Sequence, residues 1–144
     1  MQVRVAGPED AAELARLLEA FNGPPVSVEQ ARGRLLAAQG VEAALLAEVE
    51  GRVVGFAAVR VVPYLSDDVP YAELTELYVE GAHRGQGVGR ALLEQAAGIA
   101  RERGAAELLL QTGLNNQPAQ AFYRAMGCHD YGLVMRLPFG AEET

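Results

Sequence analysis

The chain has 144 residues, half of them apolar and 22% charged, which is the balance of a globular domain rather than of a disordered tract. Nineteen acids against twelve bases leave a formal charge of −7, which argues against nucleic acid or an anionic membrane surface as a partner. No apolar run approaches the roughly 20 residues that span a bilayer, and the opening "MQVRVAGPEDAAEL" lacks a signal-peptide pattern, so a cytoplasmic location is expected.

After a first short strand, a helix is signalled at Pro8, with Glu9 and Asp10 at its positive dipole end. Leu14, Leu17, Leu18 and Phe21 follow at helical spacing, and "NGPP" (22–25) breaks the run. Ser27-x-x-Gln30 is a capping box ahead of a second helix carrying Val28, Ala31 and Leu35. "VEAALLAEVEGRVVGFAAVRVV" reads as two strands joined in a hairpin at Glu50-Gly51. The turn-rich "PYLSDDVP" leads to "YAELTELYV", a further strand by its partial alternation. A long helix then carries Val88, Ala91, Leu92, Gln95, Ala96, Ile99 and Arg103 on one face and ends at Gly104. "AELLLQT" predicts a strand buried on both faces, "NNQPAQAFYRAMG" a short capped helix closing on Gly127, and "YGLVMRLP" a last strand. No repeat, linker or composition shift divides the chain, so residues 1–144 are read as one α/β domain, a mixed sheet flanked by helices.

Several chemistries are excluded at once. Cys128 is the single cysteine, and His83 and His129 stand far apart, so no disulfide and no metal site is expected. All twelve bases are arginine, which removes any P-loop, Schiff-base or kinase-type lysine.

The stretch "HRGQGVGRALL" (83–93) places three alternating glycines directly before the long helix, although glycine costs a helix about 1 kcal/mol relative to alanine. The first turn of a helix leaves about four N–H groups open. With the helix dipole they form an anion site, and glycine lets a bulky anion approach the bare backbone. Arg84 and Arg90 bracket the turn and can add charge. A tight strand-to-helix turn that needs positive φ would use glycine in the same way. The spacing matches neither G-x-G-x-x-G nor the P-loop, because Arg90 stands where the third Rossmann glycine would be.

Arg84-Gly85-Gln86-Gly87-Val88-Gly89 resembles the R/Q-x-x-G-x-G/A acetyl-coenzyme A motif of the GNAT N-acetyltransferase superfamily. "ELYV" (76–79) resembles that family's fourth strand, and "LLLQTGLNNQPAQAFYRAMGC" (108–128) its fifth strand and following helix, with N-x-x-A-x-x-x-Y at Asn116, Ala119 and Tyr123. The element order fits the family over essentially the whole chain.

The resemblance implies a mostly antiparallel sheet whose fourth and fifth strands splay apart, with acetyl-CoA as cosubstrate threaded between them. Backbone groups of Leu77, Tyr78 and Val79 would bind the pantetheine, and Arg84 to Arg90 the pyrophosphate. Asn116, Ala119 and Phe122 would complete the cofactor site on the last helix. Tyr123 matches the family's tyrosine that protonates the departing thiolate. Glu76, and next to it Glu73, match positions where members place a base, often acting through water. Three residues apart, these two face opposite sides of a regular strand, and a bulge, common there in the family, would change that parity.

The implied activity is acetyl transfer to a primary amine of a small molecule or peptide. Transfer of another acyl group or to a protein α-amine, an acyl-CoA-binding regulator without turnover, and a nucleotide-binding module are the competing readings. A homodimer is expected from relatives. The acceptor is expected to be set by residues 22–28, the 63–70 loop and the last strands. The charge points to a cationic amine, and Asp67 and Asp68 could attract it. Cys128 is read as packing and His83 as an exposed turn residue.

Overall fold

The computed structural model describes residues 1–140. By its contacts the chain falls into two compact units, Met1–Leu110 and Gln111–Thr144. The first unit holds β1 (Gln2–Val5), α1 (Ala11–Asn22), α2 (Val28–Ala38), β2 (Ala43–Val49), β3 (Arg52–Val62), β4 (Tyr71–Val79), α3 (Val88–Glu102) and β5 (Leu108–Leu110). The second holds α4 (Gln117–Ala125).

The strands of the first unit form one sheet in sequence order, antiparallel except for the parallel pair β4–β5. The hairpin turn lies where the sequence puts it: Glu50 and Gly51 take φ of 52° and 80°, the two positive values of a type I′ turn. Register then sorts the side chains between two faces. Leu46, Phe56 and Tyr78 point to one layer, which α1 and α2 cover with Leu14, Leu17, Leu18, Ala31 and Leu35. Gly55 and its cross-strand partner Val79 belong to the other face, where α3 lies; a Cβ on Gly55 would stand 3.2 Å from Leu92 Cδ1. Leu17, Leu45, Leu46 and Leu92 are among the largest fully buried side chains, and each contributes about 1.5–3 kcal/mol of transfer free energy.

Local chemistry explains where the helices begin and end. A 3-10 turn at Pro8–Asp10 precedes α1, and the Asp10 carboxylate accepts from Gly7 N–H at 2.9 Å and from the Arg4 guanidinium at 2.9 and 3.0 Å. Gly23, with φ of 99°, ends α1. The capping box forms as expected: Ser27 Oγ accepts from Gln30 N–H at 3.0 Å, and Gln30 Oε1 accepts from Ser27 N–H at 2.9 Å. On α3 the buried stripe is Val88, Leu92, Leu93, Ala96 and Ala100, so Gln95 and Arg103 lie outside it.

Two expected strands differ. β5 covers only Leu108–Leu110, and all three residues are half-buried rather than buried on both faces, because β4 is its one neighbour among the described residues. The segment 131–138 forms no strand, and Leu133 and Met135 are 88% and 87% exposed. A strand is held by ladder bonds and cross-strand packing rather than by propensity, and no described residue pairs with this segment.

Candidate active site

The fourth strand carries the main departure from regularity. Arg60 pairs with Glu73, Val59 with Leu74, and Ala58 with Glu76, so Thr75 is the extra residue of a β-bulge. Its hydroxyl donates to Ala58 O at 3.3 Å. The bulge inverts the parity of the strand: Tyr71, Glu73, Glu76 and Tyr78 share the α1/α2 face, and Ala72, Leu74, Leu77 and Val79 the other. Glu73 and Glu76, opposite on a regular strand, therefore stand side by side.

Their surroundings differ. Glu73 accepts from Arg60 Nε and Nη2 at 2.9 and 2.8 Å. Glu76 has no such partner among the described residues, and its carboxyl is pushed above the usual carboxylate value. Loss of hydration is the main cause, the nearby Glu42 carboxylate adds to it, and Arg34 acts against it. The residue is exposed, and the direction of the shift makes it a stronger base than a free carboxylate.

β5 pairs with β4 only at Ala72–Leu74, so among the described residues no strand pairs with the outer edge of β4 from Thr75 to Val79. Beyond Val79 the chain passes through a 3-10 turn at Gly81–His83 into the glycine stretch. Gly85 and Gly87 take φ of 76° and 88°, and a Cβ on either would meet nothing within 4 Å. Conformation, not crowding, demands glycine at both. Gly87 is the N-cap of α3, whose first helical bond is Ala91 N–H to Gly87 O at 3.0 Å. The N–H groups of Val88, Gly89 and Arg90 thus open toward the turn, with no acidic residue in the first helical turn.

The arginines are partly engaged. Arg84 Nε donates to Val79 O at 2.8 Å, and its guanidinium lies 5.5 Å from the Tyr78 ring centre. Arg90 Nε pairs with Glu94 at 3.1 Å. Gln86 Nε2 reaches back to Ala82 O at 3.3 Å. Tyr78 also packs on Phe21 and Phe56, with ring centres 5.2 and 6.0 Å away, so α1 is tied to the end of β4.

One network had no sequence signal. Arg16 of α1 joins Glu80 (2.5 Å), Glu13 (2.7 Å) and Val53 O (2.6 Å), and Arg52 reaches Glu80 at 3.5 Å. Its members are too far apart in the chain for local reading. His83, expected to be exposed, is half-buried; its Nδ1 is buried, lacks a hydrogen-bond partner and stands 4.0 Å from Glu80.

In the second unit, Asn116 caps α4, its Oδ1 accepting from Ala119 N–H at 3.1 Å. Phe122 and Tyr123 are half-buried in edge contact, 5.1 Å between centres. Burial raises the Tyr123 phenol above its ordinary value, with Cys128 adding to the effect.

Sheet order, the bulged fourth strand and the glycine turn before α3 define the GNAT fold. The chain belongs to the Acetyltransferase (GNAT) family, whose model matches residues 12–128. It is 39% identical over 84 residues to the streptothricin acetyltransferase of Streptomyces lavendulae, covering 58% of this chain and 42% of that one. It is 35% identical over 96 residues to the IAA acetyltransferase of Azospirillum brasilense, covering 67% and 57%. The chain thus spans about half the length of these curated relatives. A putative acetyltransferase from Agrobacterium tumefaciens str. C58 superposes with a TM-score of 0.88 at 26% identity, over 96% of this chain and 99% of that one. No helix of the described residues is long and apolar enough to cross a membrane.

Proposed function

We propose that the chain transfers the acetyl group of acetyl-CoA directly to a primary amine of a small molecule or peptide. The observation that carries this reading is the Thr75 bulge, which puts an exposed Glu76, without an ion pair among the described residues, on the strand that runs into the glycine turn. Open N–H groups of Val88, Gly89 and Arg90, an uncrowded backbone at Gly85 and Gly87, and no acid in the first turn of α3 suit a diphosphate. When bound, acetyl-CoA supplies a thioester, an activated acyl group.

Val88, Gly89 and Arg90 hold the diphosphate through backbone donors, with Arg84 and Arg90 adding charge. The outer edge of β4 at Leu77, Tyr78 and Val79 offers main-chain groups to the pantetheine. Glu76 takes the proton of the attacking amine, directly or through water. An alkyl ammonium near pKa 10 exceeds an ordinary carboxylate by about six units, ~8 kcal/mol. The neutral amine, which alone has a lone pair, therefore attacks, and Glu76 takes the proton that N–C bond formation makes acidic. The C–S bond breaks, and Tyr123 gives its proton to the thiolate. A phenol is protonated at neutral pH in any case, and burial raises that of Tyr123 further.

Relatives named for acceptors as different as streptothricin and IAA leave the acceptor to this chain's own residues. Free-thiol release from acetyl-CoA against a panel of amines tests the proposal. Amine-dependent release that collapses in Glu76→Gln supports it; acetyl-CoA binding without release on any amine would replace it with a regulator.

A further inference from the structure

Glu80 follows β4 directly and opens the 3-10 turn Gly81–His83. It stands at the joint between the two stretches proposed to hold acetyl-CoA, residues 77–79 and 84–90. Its main chain is fixed on both sides: Glu80 N–H donates to Val54 O at 2.9 Å, and His83 N–H donates to Glu80 O at 2.9 Å. Its side chain is only 18% exposed. The carboxylate accepts from Arg16 Nη1 at 2.5 Å and lies 3.5 Å from Arg52 Nη2.

Arg16 closes the link from α1. Its Nη2 donates to Val53 O at 2.6 Å and to Glu13 at 2.7 Å. The Glu80 side chain is thus tied through Arg16 to Val53, while its main chain is tied to the next residue, Val54. Further along α1, Phe21 packs on Tyr78, so the helix grips the chain on both sides of Val79. The Val79 carbonyl in turn accepts from Arg84 Nε at 2.8 Å. His83 Nδ1 stands 4.0 Å from the Glu80 carboxylate, out of hydrogen-bond reach and without another partner among the described residues. The carboxylate is therefore aimed by α1 and not by its own turn. A poorly exposed ion pair adds little net stability over apolar packing. What an arginine fork supplies is direction.

We propose that Glu80 and Arg16 are a positioning pair: they set where the chain leaves β4, so that its outer edge and the glycine turn meet one cofactor together. The inference rests on the acetyl-transfer reading. Neither side chain touches the reacting atoms; both act through the main chain between Val79 and the glycine turn.

The test uses the full chain with acetyl-CoA. Glu80→Gln keeps the size of the side chain and both main-chain bonds. It should raise the Kd and KM for acetyl-CoA about tenfold, with kcat at saturation within about threefold. Charge alone predicts the opposite sign, since loss of a carboxylate near a diphosphate favours its binding. Arg16→Gln should give a similar loss, Arg16→Lys a smaller one, and the double variant no more than the worse single, because each breaks the same link. Unchanged or tighter binding in folded Glu80→Gln, or losses that add in the double variant, would overturn the positioning pair and leave acetyl transfer standing. A native chain that binds no acetyl-CoA would overturn the acetyl-transfer reading and the pair with it.

Discussion

The carboxylates of Glu73 and Glu76 project from one face of β4 although three residues separate them, because Thr75 takes the extra place of a bulge. Arg60 pairs with one and not with the other, which is why the proposed base is Glu76. Glu76→Gln is expected to lower kcat by about 10² or more, and Glu73→Gln by several-fold less. The acid limb of the rate profile should lie above the ordinary carboxylate range and vanish in Glu76→Gln. Steady-state rates across pH check this, and equal losses in the two variants would contradict the assignment.

Tyr123→Phe should lower kcat while acetyl-CoA affinity stays within about twofold, because the lost proton acts on the leaving thiolate rather than on binding. The raised phenol also fixes the alkaline limb, which should fall at a higher pH than a free phenol would give. Full activity of this variant over the whole pH range would withdraw the acid role and leave the fold untouched.

Gly87→Ala and Gly87→Glu separate conformation from charge. With φ of 88° and open space at Cβ, alanine meets strain alone, about 1–2 kcal/mol. Glutamate adds a carboxylate beside the open N–H groups of α3. Calorimetry should show weakened binding for the first and none for the second, with similar melting temperatures.

Gly55→Ala tests the anchoring of β4. The new Cβ would lie 2.8 Å from the carbonyl oxygen of Tyr78 and 3.2 Å from Leu92 Cδ1. Backbone must move, at about 1–3 kcal/mol. Denaturant midpoints should fall, and acetyl-CoA affinity with them, because the displaced residues border the proposed pantetheine edge.

Acid should loosen the first unit at the Arg4–Asp10 pair. Hydrogen bonds from Arg4 hold the Asp10 carboxyl below its ordinary value, so the pair stabilises the fold above the unfolded pKa and the gain is lost as pH falls through the folded one. Urea midpoints of the native chain should drop as pH falls below the ordinary aspartate value, and those of Asp10→Asn should start lower and drop less.

What the sequence disclosed follows from the range of the forces involved. The Ser27–Gln30 box, the Glu50–Gly51 turn and the glycines at 85 and 87 were legible because each is a local demand of the backbone. The bulge was foreseen as something that would change the parity of Glu73 and Glu76, but its position follows from pairing with β3. The Arg16–Glu80 link joins residues 64 apart and leaves no local trace. Strand propensity at 131–138 misled because no neighbour among the described residues completes a ladder there.

The most direct test of the central claim is calorimetric titration with acetyl-CoA followed, on the same sample, by amine-dependent thiol release. The account predicts micromolar binding and release that requires Glu76. No binding at all would mean that the turn from Arg84 to Arg90 serves the chain's own geometry and no phosphate.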